Sequence, residues 1–127
     1  MKVTGLTIEL MVDDIQKTIN FYKTMLGFEV TVSVPEKEPF FVVMSSGSAK
    51  LMLYTRSQFS EEIPEFKEIP VGGSIAMYMN VDNIETLFGK IKGKVKIIQE
   101  LHETDYGTKE FSFEDCNGYI IMLANEK

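Results

Sequence analysis

Apolar and polar residues alternate from Thr7 to Val12, which is the period of a strand with one buried face. Asp13 and Asp14 follow at once, and a short carboxylate in this position can accept the free backbone N–H groups of a helix start. Apolar residues then recur at helical spacing as far as Leu26, and Gly27 is typical of a helix end. The chain is therefore predicted to open with a strand and a helix.

The same pattern occurs twice. Further strands are predicted at Glu29–Val34, Phe40–Met44 and Ala49–Tyr54, which completes the order β-α-β-β-β. Adding 69 to each number places Val12 on Val81 and Ile15 on Ile84. The second copy is predicted as a helix over Asn83–Lys92 and strands near Val95–Leu101, Lys109–Glu114 and Tyr119–Ala124. We interpret 1–127 as one domain with module one at about 1–54, a connector or lid at about 55–73, and module two at about 74–127.

Composition excludes several classes of protein. The chain has 127 residues, 44% hydrophobic and 25% charged, as in an ordinary globular domain, and it has no apolar run near the ~20 residues of a membrane span. Glu9 interrupts the region where a signal peptide is apolar, so we expect a cytoplasmic protein. A net charge of −6 disfavours nucleic acid, and one cysteine with one histidine excludes an internal disulfide and a zinc-finger site.

Two stretches resemble a known family. "VDDIQKTINFYKTMLGFEV" is similar to the strand-helix signature of the glyoxalase/bleomycin-resistance/extradiol-dioxygenase superfamily, the vicinal oxygen chelate proteins. "YGTKEFSFEDCNGYIIML" resembles the closing hairpin of that family. The resemblance implies an α+β fold in which two βαβββ modules form a cupped, mostly antiparallel sheet with helices on the convex side. It also implies a homodimer and a small-molecule site.

Cys116 lies within the hairpin motif, in "DCNG". Asp115 can bond the backbone two residues on, and Asn117 and Gly118 tolerate the left-handed conformation of a tight turn. A nucleophilic cysteine would need a neighbouring base or helix N-terminus, and none is predicted here. We interpret Cys116 as an exposed turn residue without a catalytic role.

Enzymes of the family hold a divalent metal on the cupped face, and the resemblance places the four ligand positions at Thr7, Met52, Ala76 and Met122. Alanine has no donor atom, threonine is a poor ligand, and a thioether prefers soft metals. Glu9 and Glu110, with Asn80, could in principle hold an ion through oxygen atoms, but Lys50 on the same predicted face would compete for the carboxylates. We therefore expect no metal and no cofactor.

The leading hypothesis is a metal-free small-molecule-binding protein, similar to the bleomycin-resistance type, that sequesters a cationic or amine-bearing compound. The alternative is a glyoxalase-like lyase or dioxygenase-like enzyme with a displaced metal site, or with Glu9 or Glu110 as a metal-free base. A third possibility is a structural or regulatory dimer whose cup is filled. The ligand-binding candidates are the charged, methionine and tyrosine residues of the predicted cup face: Glu9, Lys50, Met52, Tyr54, Tyr78, Glu110 and Met122.

Overall fold

A computed structural model of the protein describes residues 1–126, so residue 127 of the predicted second module lies outside the described residues. The chain divides into two compact units, Met1–Val71 and a second that begins at Gly72. Unit 1 contains β1 (Ile8–Val12), α1 (Ile15–Leu26), β2 (Glu29–Val34), β3 (Phe41–Ser46), β4 (Ala49–Thr55), α2 (Arg56–Glu62) and the 3-10 helix Pro64–Glu68. Unit 2 contains β5 (Ala76–Asn80), α3 (Ile84–Ile91), β6 (Lys96–Glu103), β7 (Thr108–Glu114) and β8 (Ile120–Glu126).

Each unit builds its own four-stranded sheet, and the two sheets have the same topology. The strand order is β1-β4-β3-β2 in unit 1 and β5-β8-β7-β6 in unit 2. The first and last strands of each unit pair in parallel, and all other neighbours are antiparallel. The α+β class, the paired βαβββ units and the mostly antiparallel pairing are therefore confirmed.

Helix α1 begins and ends where its sequence predicts. The Asp14 carboxylate accepts the backbone N–H of Lys17 at 3.0 Å, and Gly27 closes the helix at φ 71°, a conformation that costs glycine little. Ile19 and Tyr22 are buried, and α1 packs against β2, β3 and β4. The apolar stripe of the helix therefore covers one face of the first sheet.

Helix α3 plays the same part in unit 2, where it packs against β7 and β8. Ile84 and Ile91 are fully buried, and the Phe88 ring meets the Phe111 ring edge-on with centroids 4.9 Å apart. The shorter helix that the sequence predicts after Asp82 is therefore present, with bounds that differ by one residue at each end.

The predicted connector 55–73 contains ordered structure that its proline and glycine content did not indicate. The Thr55 hydroxyl accepts the backbone N–H of Gln58 and caps α2. Phe59 is buried and stacks on Tyr54 at 5.0 Å and on Phe66 at 4.6 Å between ring centroids. Most of the segment belongs to unit 1 because these aromatic contacts attach it to β4. No helix within the described range 1–126 is long and apolar enough to cross a membrane.

Candidate functional site

Four of the predicted site residues share one face of the first sheet. In the parallel pairing of β1 with β4, Glu9 lies opposite Met52, and Met11 lies opposite Tyr54. Because side chains alternate along a strand, Lys50 projects from the same face as Met52. This is the face opposite to that of the buried residues Leu10 and Leu53.

Tyr54 connects this face to α2. Its hydroxyl donates to the Glu62 carboxylate at 3.1 Å, and its ring stacks on the buried Phe59. Partial burial, together with the charge of Glu62, raises the pKa of Glu9. Partial burial and the bond to Glu62 also raise the pKa of Tyr54. Unit 1 therefore places two carboxylates near one tyrosine. Glu9 belongs to β1, and Glu62 belongs to α2, the helix that sequence analysis did not predict.

The other three predicted residues share one face of the second sheet. Tyr78 on β5 lies opposite Met122 on β8, and Glu110 on β7 lies opposite Ala124 on β8. Tyr78 spans the width of β8 to reach Glu110, and the intervening Ala124 has only a methyl side chain. The structure therefore joins Tyr78 and Glu110 directly, as the predicted alternation of the two strands allows.

Glu110 is the centre of a hydroxyl cluster. Only 2% of this residue is exposed, and its Oε2 accepts the Tyr78 hydroxyl at 2.5 Å and the Thr108 hydroxyl at 3.0 Å. The Tyr106 hydroxyl lies 3.1 Å from both carboxylate oxygens. The Thr104 hydroxyl extends this hydrogen-bond network, because it lies 2.7 Å from the hydroxyl of Thr108. We call Glu110, Tyr78, Tyr106 and Thr108 the Glu110 cluster.

The hydrogen bonds set the charge of the cluster. The bond from Tyr78, supported by those from Thr108 and Tyr106, lowers the pKa of Glu110 despite its burial. The same bond raises the pKa of Tyr78 to about 12. The pKa of Tyr106 is also raised, mainly by partial desolvation and secondly by its bond to Glu110. At neutral pH the cluster therefore holds one ionised carboxylate and protonated tyrosines.

Sequence analysis missed Tyr106 and Thr108 as site residues. Thr108 lies two positions before Glu110 on β7, so strand alternation alone would have placed it on the same face. Tyr106 lies in the turn before β7, where Gly107 has φ 93°, and no strand period predicts its direction. Its place in the hairpin motif was the available signal.

The residues present do not fit the divalent metal that the family's enzymes hold. Among residues 1–126, no group of three or more histidine, cysteine, aspartate or glutamate side chains could hold an ion. Met52 and Met122 occupy the predicted ligand positions on β4 and β8, and Ala76 begins β5. Glu110, on β7 of unit 2, uses its carboxylate oxygens to accept hydroxyl groups.

A separate cavity of about 510 Å³ lies at the start of α1 in unit 1. Asp13, Asp14 and Glu38 contribute to its lining, together with Thr55. The Asp13 carboxylate is bound to Arg56 at 2.8 Å, and Asp14 caps α1. None of the predicted site residues lines this cavity, and two of its three acids already have structural roles.

A sequence model of the Glyoxalase/Bleomycin resistance protein/Dioxygenase superfamily matches residues 6–123, nearly the whole chain. The chain belongs to this superfamily. Protein YraH of Bacillus subtilis is 29% identical over 123 residues, which cover 93% of this chain and 94% of the relative. The mitochondrial methylmalonyl-CoA epimerase of Bos taurus is also 29% identical over 123 residues, which cover 91% of this chain and 70% of the epimerase.

Two solved structures share the fold of this chain. A glyoxalase/bleomycin resistance protein/dioxygenase family enzyme of Burkholderia phytofirmans superposes with a TM-score of 0.80 at 16% identity, covering 95% of this chain and 97% of its own. A protein of Agrobacterium tumefaciens reaches a TM-score of 0.83 at 20% identity, covering 100% and 97%. At these identities the likeness concerns the fold, and the chemistry of the site has to be argued from its residues.

Proposed function

We propose that this superfamily member binds a cationic or amine-bearing small molecule without the help of a divalent metal. One observation carries the proposal: each sheet presents a carboxylate, a methionine and a tyrosine on one face. In unit 1 these are Glu9, Met52 and Tyr54. In unit 2 they are Glu110, Met122 and Tyr78.

This combination suits an organic cation. Methionine is unbranched and polarisable, so it adapts to irregular apolar surfaces. A tyrosine ring attracts a cation through its negative face, and a nearby carboxylate supplies the opposite charge. The net charge of −6 acts in the same direction by raising the local concentration of cations.

The same residues oppose metal-dependent chemistry. A hard or borderline divalent ion requires several nitrogen or oxygen donors within about 2.0–2.6 Å. Met52 and Met122 offer thioethers at two of the expected positions, and Lys50 adds a positive charge near Met52 on the same face. These features support binding without a metal.

An enzymatic role without metal is the second candidate, and the environment of Glu9 favours it. A carboxylate with a raised pKa is a better proton acceptor than an ordinary one. The relative in Bos taurus is an epimerase, and proton transfer is the chemistry that such a carboxylate could serve. A solvent-deuterium exchange assay on bound ligands, compared between wild type and Glu9→Gln, separates this role from binding alone.

We also infer a homodimer in the cytoplasm. Val30, Val32 and Val34 remain exposed on β2, an outer strand of the first sheet, and exposed apolar edge strands favour association. Sedimentation velocity on wild type and on a Val32→Lys variant tests the assembly. A monomeric wild type would contradict it.

The binding proposal is tested by thermal unfolding in buffer containing EDTA, with matched sets of amines, neutral alcohols and carboxylates of the same carbon skeleton. A ligand that prefers the folded state raises the melting temperature by an amount that grows with its concentration. We expect concentration-dependent increases with amines and none with carboxylates. Stabilisation by all three classes alike, or only after a divalent metal is added, would contradict the proposal.

A further inference from the structure

The Glu110 cluster lacks one component that a buried charge normally has. Glu110 is 2% exposed, yet no salt bridge formed by the described residues involves it. The neighbouring Lys109 is bound to Glu85 at 2.6 Å. His102 lies opposite Glu110 in the β6–β7 register and attracts its charge, but its Nδ1 is 2.7 Å from the Glu100 carbonyl oxygen. Buried carboxylates are usually paired with a cation, because removal from water is costly.

The direction of the hydrogen bonds restricts what can complete the cluster. An ionised carboxylate can only accept, so Tyr78, Tyr106 and Thr108 each donate their single hydroxyl proton to Glu110. A hydroxyl that has donated its proton can act toward any further group only as an acceptor. The cluster therefore offers oxygen acceptors and a negative charge, and it has no hydroxyl proton left to donate.

The two tyrosines are accessible although the carboxylate is not. Tyr78 is 49% exposed and Tyr106 is 71% exposed, so a ligand can reach their rings and hydroxyl oxygens. An anionic group would meet acceptors and a like charge, and a neutral hydroxyl would leave the buried charge uncompensated. An ammonium group with N–H bonds matches both the charge and the acceptors.

We propose that Tyr78 and Tyr106 form an anchor for a protonated amine, with Glu110 as the positioning residue that holds both hydroxyls and supplies the charge behind them. This assignment rests on the proposed binding function and goes further, because it names the subsite and the ligand group. It also ranks ligands: a primary ammonium binds better than a quaternary ammonium, which has the charge without N–H donors. A neutral alcohol of the same shape binds more weakly still.

The probes are benzylammonium, benzyltrimethylammonium and benzyl alcohol, titrated into the protein while backbone and tyrosine NMR signals are followed. We expect benzylammonium to shift signals of Tyr78 and Tyr106 and to bind about tenfold more tightly than benzyl alcohol, as for one charge-assisted hydrogen bond. Tyr78→Phe and Tyr106→Phe should each weaken benzylammonium severalfold. Thr24→Val removes an exposed hydroxyl from α1, outside the proposed binding residues of both units, and should leave the affinity unchanged.

Glu110→Gln keeps an acceptor for the tyrosines but removes the charge, so the preference for benzylammonium over benzyl alcohol should disappear in this variant. A purely structural role would weaken both probes equally. Should Glu110→Gln fail to fold, the affinities of Tyr78→Phe and Tyr106→Phe for benzylammonium still test the anchor, because Tyr78 is half exposed and Tyr106 is exposed. Equal affinity of wild type, Tyr78→Phe and Tyr106→Phe for benzylammonium would overturn the anchor.

The same titration distinguishes this failure from that of the proposed function. Shifts confined to unit 1, around Glu9 and Tyr54, would refute the anchor and leave amine binding intact. An absence of shifts at every residue with all amines tested would refute both. Equal binding of benzylammonium and benzyltrimethylammonium at Tyr78 would overturn the requirement for N–H donors, and with it the anchor as proposed.

Discussion

Removing the Tyr78 hydroxyl should destabilise the protein through Glu110. In Tyr78→Phe the Oε2 atom loses its 2.5 Å bond and keeps those from Thr108 and Tyr106. A hydrogen bond to a charged group contributes about 1.5–3 kcal/mol. Because Tyr78 is half exposed, water can partly replace the lost hydroxyl, so we expect the low end, about 1.5 kcal/mol.

The measurement is urea unfolding at pH 7, followed by circular dichroism, with the slope of the free energy against urea checked for equality between variants. Tyr54→Phe is the matched control, because its hydroxyl bonds Glu62 at an exposed site at 3.1 Å, and we expect a loss of about 0.5 kcal/mol or less. The pKa of Glu110 should also rise in Tyr78→Phe, since the hydrogen bond from Tyr78 is the largest cause of its lowering. A Tyr78→Phe variant as stable as Tyr54→Phe, with an unchanged Glu110 pKa, would refute this prediction.

Three further predictions concern stability. The pKa of Glu110 is lowered in the folded protein, so its ionised form adds to the free energy of unfolding above the ordinary pKa of 4.5. This stabilisation is lost as the pH falls through the lower folded pKa. In urea unfolding over that acid range, Glu110→Gln should therefore lose less stability than wild type. Gly72→Ala should cost at least about 2 kcal/mol, because its Cβ would lie 2.6 Å from a backbone oxygen at φ +83°, whereas Gly73→Ala, at φ +105° in open space, should cost about 1 kcal/mol. Ile19→Asp buries an unpaired charge and should prevent folding, which circular dichroism would show, while Asn20→Asp on the exposed side of α1 should fold normally.

Each of these has a contradicting outcome. Identical acid limbs for wild type and Glu110→Gln would mean that the carboxylate is not held ionised by its hydroxyl partners. Equal costs for the two glycine substitutions would mean that the close approach at Gly72 is relaxed by movement of the hairpin. A soluble Ile19→Asp protein with an unchanged melting temperature would reverse the assignment of faces in the first sheet, since side chains alternate across a strand.

Much of the fold can be predicted from the sequence because apolar residues recur along each long helix and strand at the spacing typical of that element. Strand β2 has the predicted bounds, Glu29–Val34, and α1 ends at Leu26 before the predicted Gly27. Helix α2 escaped prediction because it has only seven residues. Its stability depends on the Thr55 cap and on the stacking of Phe59, which are contacts that a periodic pattern does not contain.

The candidate site likewise has a part that the strand pattern predicts and a part that depends on tertiary contacts. Alternation along β5 and β7 placed Tyr78 and Glu110 on a common face, and the register joins them across β8. The direction of Tyr106 depends on a turn with a left-handed glycine, and the charge of Glu110 depends on which hydroxyls point at it. Both are tertiary properties, so the sequence indicates the residues without indicating their chemistry.

The central claim is amine binding that needs no metal, and calorimetric titration of metal-stripped protein with benzylammonium tests it most directly. The titration is run in EDTA and repeated, without the chelator, after one equivalent of Mn²⁺, Ni²⁺ or Zn²⁺. We predict the same dissociation constant in every case, because Met52 and Met122 offer no suitable donors at the expected metal positions. Binding that appears only with metal, or that tightens by about tenfold on its addition, would contradict the account.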